Sequence, residues 1–271
     1  MDISTDSVSY IITQERHGGR TWKPPQGFGF ASGDHRVELA DAEIVAFADQ
    51  LPIGFFFSGN GWQALGIVGT PGKGNVCITP EGQWRCGYIP AALRGYPFAI
   101  AEGNDAELTI AENSGLLLNT YNGQPFFDAS GQLSPLLSKT RAFLIKLREG
   151  RRKLSLAIRE LDKCGLLVPW DKLHDCTSPH IDGPDLCCID EKRFKALSDS
   201  DFIRLRRANA ISLVYAQLYS QRKLANLNRL CQLHEKQNEI TSAAPLQDET
   251  TETNEFLALM NEEMDKLNGR A

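Results

Sequence analysis

The sequence predicts an α+β protein in which an antiparallel, strand-rich N-terminal half packs against a C-terminal pair of long antiparallel helices. Residues 54–102 contain short apolar runs separated by glycine, proline and asparagine, which is typical of strands joined by tight turns. Apolar residues then recur at three-to-four spacing after Pro135, and again after Ser198, as in amphipathic helices. We therefore expect a meander, with a barrel- or sandwich-like form, covered by two helices.

In the N-terminal half, residues 1–24 are expected to form a leading arm that ends at Pro24-Pro25, where the prolines exclude a helix. Asp41 is placed to cap a short helix over residues 42–50. The strands after it should turn at dipeptides that tolerate a positive φ, namely Asn60-Gly61, Pro71-Gly72 and Glu81-Gly82.

In the C-terminal half, the first helix should begin at Pro135, which suits the first helical position, and end before Gly165. The second should open at Ser198 or Asp199 and run to about His234. We expect one domain over residues 1–240, with a strand-rich half (1–134) and a mainly helical half (135–240). An acidic tail (241–271) is expected to be disordered, apart from a short helix over 255–267.

Composition restricts the class of protein. The 271 residues lack the run of roughly 20 apolar residues that a membrane helix needs, so we expect no membrane span. The N-terminus lacks the basic and apolar regions of a signal peptide, which favours a cytoplasmic location. Seven cysteines, an odd number in such a chain, favour reduced thiols over a disulfide framework.

Charge is unevenly distributed along the chain. The net charge is −7 over residues 1–135, +8 over 136–236 and −6 over 237–271. The positive middle includes two groups of basic residues that could contact nucleic acid, one at 148–153 and one at 204–207. Solvated helix faces explain them better, and the pI of about 5.6 also argues against a nucleic-acid partner.

One loop concentrates residues that can ligate metal. Imidazole and thiolate groups at this density could form a tetrahedral zinc site. The spacing matches no standard zinc pattern, so we favour free thiols in a partly buried loop, and we expect no cofactor. The residues concerned are His174, Cys176, His180, Cys187 and Cys188.

A second candidate site combines aromatic and arginine side chains, which can stack on rings and pair with carboxylates. It consists of Trp62, Trp84, Arg85, Arg94 and Tyr96. The competing interpretation is that the rings fill the interface between sheet and helices. His17 and His35 could act as bases, but no accompanying nucleophile or paired carboxylate is evident in the sequence.

Several stretches resemble the SapC-like family of bacterial proteins over about residues 15–235, among them GQWRCGYIPAALRGYPFAIAE (82–102) and LREGRRKLSLAIRELDKCGLLVPW (147–170). The family is named for a link to surface-layer systems and has no established catalytic residues. Its members tend to occur near flavin-dependent tryptophan halogenases, cupin-like hydroxylases and outer-membrane receptors, which implies an accessory role.

These observations lead to one main hypothesis and two alternatives. The first is a non-catalytic accessory protein that binds a protein or peptide partner, in a surface-layer or peptide- or amino-acid-modification system. The second is a metal-dependent enzyme or modifier of an amino acid or peptide, which would use the loop at 174–188 or His17 and His35. The third is a nucleic-acid-binding protein that uses its basic helices.

Overall fold

A computed structural model describes residues 9–103, 107–120, 122–170 and 186–243. The chain divides into two units, Met1–His234 and Glu235–Ala271. All sheets, cores and grooves described below belong to the first unit. The tail expected over 241–271, with its short helix at 255–267, lies outside the described residues apart from the end of one helix at Ala243.

The N-terminal half is strand-rich and antiparallel, as the sequence predicts. The described strands are β1 (Ser9–Ile11), β2 (Thr21–Trp22), β3 (Arg36–Glu38), β4 (Ile53–Phe57), β5 (Trp62–Ile67), β6 (Gly69–Thr70), β7 (Gly74–Asn75), β8 (Phe98–Ile100), β9 (Leu108–Ala111), β10 (Leu117–Leu118), β11 (Gln124–Pro125), β12 (Leu167–Pro169) and β13 (Cys187–Ile189). The largest sheet has the order β12-β13-β4-β5-β3, and two three-stranded sheets have the orders β1-β9-β8 and β10-β2-β11.

Helices dominate the C-terminal half. The described helices are α1 (Gln14–His17), α2 (Ile44–Ala48), α3 (Ala91–Arg94), α4 (Pro135–Lys163), α5 (Glu191–Lys195), α6 (Asp199–Arg207), α7 (Ile211–Ser220) and α8 (Leu224–Ala243). Short 3-10 turns occupy Gly29–Ala31, Asp41–Glu43, Glu112–Ser114 and Gln221–Lys223. In the described part of the chain, none of the helices combines the length and apolar character that a bilayer crossing demands.

The predicted first long helix is confirmed as α4. Ser134 caps it by accepting a hydrogen bond from Leu137 N, Pro135 is its first residue, and Gly165 follows with a φ of 64°. Glycine adopts this left-handed conformation without the steric cost of a Cβ, so it ends helices well.

The apolar stripe after Ser198 forms three helices rather than one continuous helix. Asn209 has a φ of 55°, and Ala210 N donates to Leu205 O at 3.0 Å, a bond typical of a helix C-terminus. Asn tolerates the left-handed region better than most residues, so α6 ends before it and α7 begins as a separate helix. The stripe stays apolar across the break because both helices bury one face.

Two apolar cores lie inside the first unit. The first core covers the large sheet and includes Phe47, Phe55, Ile158 and Trp170; the second includes Trp22, Phe98, Phe126 and Leu144. Helix α4 contributes to both cores, its C-terminal part to the first (Leu154, Ile158 and Leu161) and its N-terminal part to the second (Leu137, Leu144 and Leu147).

One hairpin is closed by a disulfide. Cys77 and Cys86 are bonded, with their Cα atoms 5.4 Å apart. The expectation of reduced thiols throughout is therefore wrong for this pair. Thr79 N donates to Gln83 O at 2.8 Å, and Ile78 pairs with Trp84, so the hairpin itself brings the two sulfurs together. An odd total of cysteines carries no information about such local geometry.

Candidate functional site

A groove with two adjoining hollows of about 400 and 520 Å³ lies beside the Pro24-Pro25 segment. Residues that line both hollows are Pro25, Gln26, Gly27, Gln83 and Tyr96. Volumes of this size are typical of ligand-binding clefts. The smaller hollow is also lined by Trp22, Pro24, Phe28, Leu93, Arg94, Gly95, Phe98 and Thr140. The larger is also lined by Gly29, Phe30, Pro80, Glu81, Gly82, Ser114 and Leu116.

The wall shared by the two hollows is held by backbone and ring contacts. Phe28 N donates to Gly82 O at 2.7 Å, which ties the proline segment to the tip of the disulfide-closed hairpin. The ring of Tyr96 is stacked on that of Phe30, with centroids 3.8 Å apart and planes at 6°. Burial raises the pKa of Tyr96, so its hydroxyl stays protonated. Both hollows thus have a firm aromatic boundary.

The floor of the smaller hollow belongs to the second core. Trp22 and Phe98 meet edge to face with centroids 4.8 Å apart. Trp22 is 6% exposed, and its indole Nε1 is buried without a hydrogen-bond partner. A buried donor without an acceptor costs roughly 1–3 kcal/mol, so this N–H marks a place where an acceptor would be favoured.

Arg94 stands at the edge of the smaller hollow, at the end of α3. Its Nη2 donates to Tyr88 Oη at 3.2 Å, and its guanidinium lies 5.6 Å from the centre of the Phe143 ring. Tyr88 in turn donates to Glu43 Oε2 at 3.2 Å. Burial, and then the charge of Glu43, raise the pKa of Tyr88, which keeps this donor protonated. The chain of contacts orients the guanidinium.

Glu43 fastens this arrangement to the 3-10 turn before α2. It is 3% exposed and accepts hydrogen bonds from Ala40 N at 2.8 Å and Ala91 N at 2.7 Å, besides the one from Tyr88. A buried carboxylate is tolerable because each oxygen is bonded. The YIPAALR segment is thereby fixed against the 3-10 turn before α2.

The predicted aromatic-arginine site is brought together only in part. Arg94 and Tyr96 line the groove, while Trp84 packs behind it against Phe28, with centroids 5.8 Å apart. Arg85 instead makes hydrogen bonds to Ile78 O at 3.1 Å and His234 Nδ1 at 3.0 Å. Trp62 lies on β5 and packs against Phe57. Sequence reasoning did not select Trp22, Pro25 or Gln26, although WKPPQGF is unusually rich in rigid and aromatic residues.

The predicted metal-ligating loop is described only at its end. His174, Cys176 and His180 lie outside the described residues. Cys187 and Cys188 are on β13, where Cys187 pairs with Phe55 across the sheet and Cys188 is buried. Within the described ranges, His, Cys, Asp and Glu side chains form no group of three that could hold a metal ion.

The two histidines considered as bases have lowered pKa values and lie away from the groove. His17 is fully buried against Phe126, and burial lowers its pKa; its Nε2 is 3.8 Å from Glu112 Oε1. Arg16 binds the same carboxylate through two hydrogen bonds of 2.7 and 3.0 Å. Burial, and then the neighbouring charge of Arg36, lower the pKa of His35 to about 4. Neither histidine lines the groove.

The basic helices pair many of their charges with acids. Described ion pairs join Arg151 to Glu38, Arg152 to Glu149, Lys153 to Asp41 and Arg204 to Glu160. Such pairing lowers the net positive potential that a nucleic-acid backbone would meet. The interpretation of these residues as solvated helix faces stays a prediction.

Comparison with known proteins identifies the family. Neither the curated proteins nor the solved structures contain a match to this chain. The family model described as SapC matches residues 12–227, most of the chain, and that range includes the whole groove. The chain belongs to the SapC family.

Proposed function

We propose that the protein is a non-catalytic binding protein whose groove takes an extended peptide segment of a protein partner. The observation that carries the proposal is the pair of adjoining hollows that share Pro25, Gln26, Gly27, Gln83 and Tyr96. Two adjoining hollows can receive successive side chains of one extended chain, which a single compact cavity cannot do as readily.

The lining suits a peptide in its chemistry as well. Aromatic and proline faces offer apolar contact to side chains, while the amides of Gln26 and Gln83 can donate to and accept from a peptide backbone. The setting that we propose, from the family resemblance, is an accessory role in a bacterial surface-layer or peptide- or amino-acid-modification system, inside the cell.

A paired substitution tests the proposal. Gly29 lines the larger hollow, and a Cβ added there meets no atom within 4 Å, so Gly29→Tyr should occupy the groove without disturbing the fold. Gly33 is equally open and lines neither hollow, so Gly33→Tyr is the matched control. The probe is an immobilised library of random decapeptides, followed by affinity measurement on the selected sequences.

We expect the unaltered protein to select a peptide family whose Kd rises about tenfold or more with Gly29→Tyr, since a contact surface is lost. The Kd should change by less than about twofold with Gly33→Tyr. Selection of no peptide, or equal affinity for both variants, would contradict the proposal.

A further inference from the structure

Two side chains that line the smaller hollow, Trp22 and Arg94, have N–H groups left over for a ligand among the described contacts. The indole Nε1 of Trp22 is buried and has no hydrogen-bond partner. Arg94 uses one N–H for Tyr88 Oη, and among the described residues no carboxylate forms an ion pair with it. A bound group that supplies acceptor oxygens and a negative charge would satisfy both donors.

The surroundings of these donors are largely apolar. Leu93, Phe98 and the two prolines line the smaller hollow, together with the neutral polar side chains of Gln26, Gln83 and Thr140. A phosphate carries more negative charge than this hollow balances, because Arg94 is the one cationic side chain among the residues that line it. A carboxylate joined directly to an apolar side chain matches both parts of the lining.

The two ends of the groove differ in charge. Arg94 lines the smaller hollow, whereas Glu81 lines the larger one. The hydrogen bond from Thr79 keeps the pKa of Glu81 below its ordinary value, so this end stays negative at neutral pH. An anionic group therefore favours the Arg94 end, and a chain that continues past Tyr96 should be neutral or positive there.

We infer that the smaller hollow is a carboxylate pocket that binds the C-terminal residue of a peptide, with the α-carboxylate on Arg94 and Trp22 Nε1 and a large apolar side chain beside Leu93 and Phe98. The preceding residues run past Tyr96 into the larger hollow. This inference rests on the proposed function, to which it adds the chemical class and the direction of the ligand.

The experiment compares two forms of one library, random hexapeptides made with a free C-terminal carboxylate and the same peptides made as C-terminal amides. The proteins are the full chain and its Arg94→Gln variant. Arg206→Gln is the matched control, because Arg206 is an exposed arginine on α6 that lines neither hollow. Trp22→Phe removes the indole N–H and keeps an aromatic ring, and circular dichroism checks that each variant is folded.

The unaltered protein should prefer acids that end in Leu, Phe or Trp, with a Kd about tenfold below that of the matching amide, since charge-assisted hydrogen bonds contribute that much. The ratio of the amide Kd to the acid Kd should fall to about one in Arg94→Gln and stay near ten in Arg206→Gln. It should decrease several-fold in Trp22→Phe. The ratio is informative because a merely structural role of Arg94 would weaken acids and amides alike.

Two results would overturn the inference and leave the proposed function standing: acids and amides that bind equally well while Gly29→Tyr weakens both, or an acid preference that survives Arg94→Gln. Binding of N-acetylphenylalanine as tight as that of the selected hexapeptides would overturn the peptide part, because the larger hollow would then contribute nothing. If neither library binds, the proposed function fails together with the inference.

Discussion

Glu43 is a buried carboxylate that carries three hydrogen bonds and joins segments far apart in sequence. Its oxygens accept from Ala40 N, Ala91 N and Tyr88 Oη. A glutamate suits this position because the turn before α2 and the first residue of α3 both present backbone N–H groups to the protein interior.

Replacement of this side chain should be costly. Glu43→Ala leaves two buried backbone N–H groups without acceptors, and we expect the free energy of unfolding to fall by about 3 kcal/mol. Urea denaturation at pH 7 measures the change. Glu149→Ala, which removes an exposed carboxylate paired with Arg152, should change it by less than about 0.5 kcal/mol. A loss below about 1 kcal/mol for Glu43→Ala would show that the three bonds are not important.

His35 makes stability depend on pH. Burial, and then Arg36, hold its pKa at about 4 in the folded protein, below the value of about 6.5 expected when unfolded. The unfolded chain then binds the proton more readily, so folding stability falls as the pH drops from about 6.5 towards 4. Above about pH 7.5 this histidine has almost no effect on stability, because it is then neutral in both states.

We therefore expect the unaltered protein to lose about 1–2 kcal/mol more than His35→Gln between pH 6.5 and 5. The measurement is urea denaturation of both proteins across this range. His17 is unchanged in the variant, so its own contribution cancels in the comparison. Parallel pH profiles would contradict the expected shift.

At the scale of elements, β5 approaches α2 so closely that only glycine fits between them. A Cβ at Gly66 would lie 2.4 Å from Cζ of Phe47, whose ring is fully buried. The strand therefore packs directly on the ring, and the pairing of Gly66 with Val37 and Ile53 keeps it in place.

Gly66→Ala should consequently destabilise the protein by about 2–3 kcal/mol, which is the usual cost of overpacking a core. Thermal or urea denaturation gives the value. Gly33→Ala introduces the same methyl group where nothing lies within 4 Å, and it should leave stability within about 0.5 kcal/mol. An unchanged free energy of unfolding in Gly66→Ala would mean that α2 can shift away from the sheet.

The sequence predicts an element well when the residues that determine it lie close together in the chain. Helix α4 follows from Ser134, Pro135 and Gly165 together with its apolar period, all of which act within a few residues. The end of α6 at Asn209 does not, because the apolar stripe continues across it and asparagine ends a helix only in some contexts. The Cys77–Cys86 bond depends on a hairpin geometry that cysteine counting does not consider.

The residues of the groove are likewise only partly predictable from the sequence. Arg94 and Tyr96 stand out in the sequence because they lie in one short aromatic and basic segment. Trp22 does not, because its place depends on pairing with Leu117 and Gln124, which are about a hundred positions away. Contacts of such range depend on the whole fold, so a linear pattern cannot reveal which side chains line a shared hollow.

For the molecule as a whole, α4 couples the two cores of residues 9–234. Leu147 belongs to the second core and Leu154 to the first, on one continuous helix. We expect the unit to unfold in one cooperative transition, because neither core is complete without this helix.

Single-tryptophan reporters test this coupling. Trp22 reports on the second core and Trp170 on the first, with the other tryptophans replaced by phenylalanine. Leu147→Ala should lower the free energy of unfolding by about 2–5 kcal/mol and shift the urea midpoint equally for both reporters. A shift seen only by Trp22 would instead indicate two cores that melt independently.

The shared helix also sets where the chain can be cut. A fragment that ended at Ser134 would lack the α4 residues of both cores. Apolar surface of each core would then be exposed to water, so the fragment should aggregate rather than fold. Tags, fusions and truncations should therefore be placed outside residues 9–234. The sequence pattern of the strand-rich half alone would suggest a domain that folds independently.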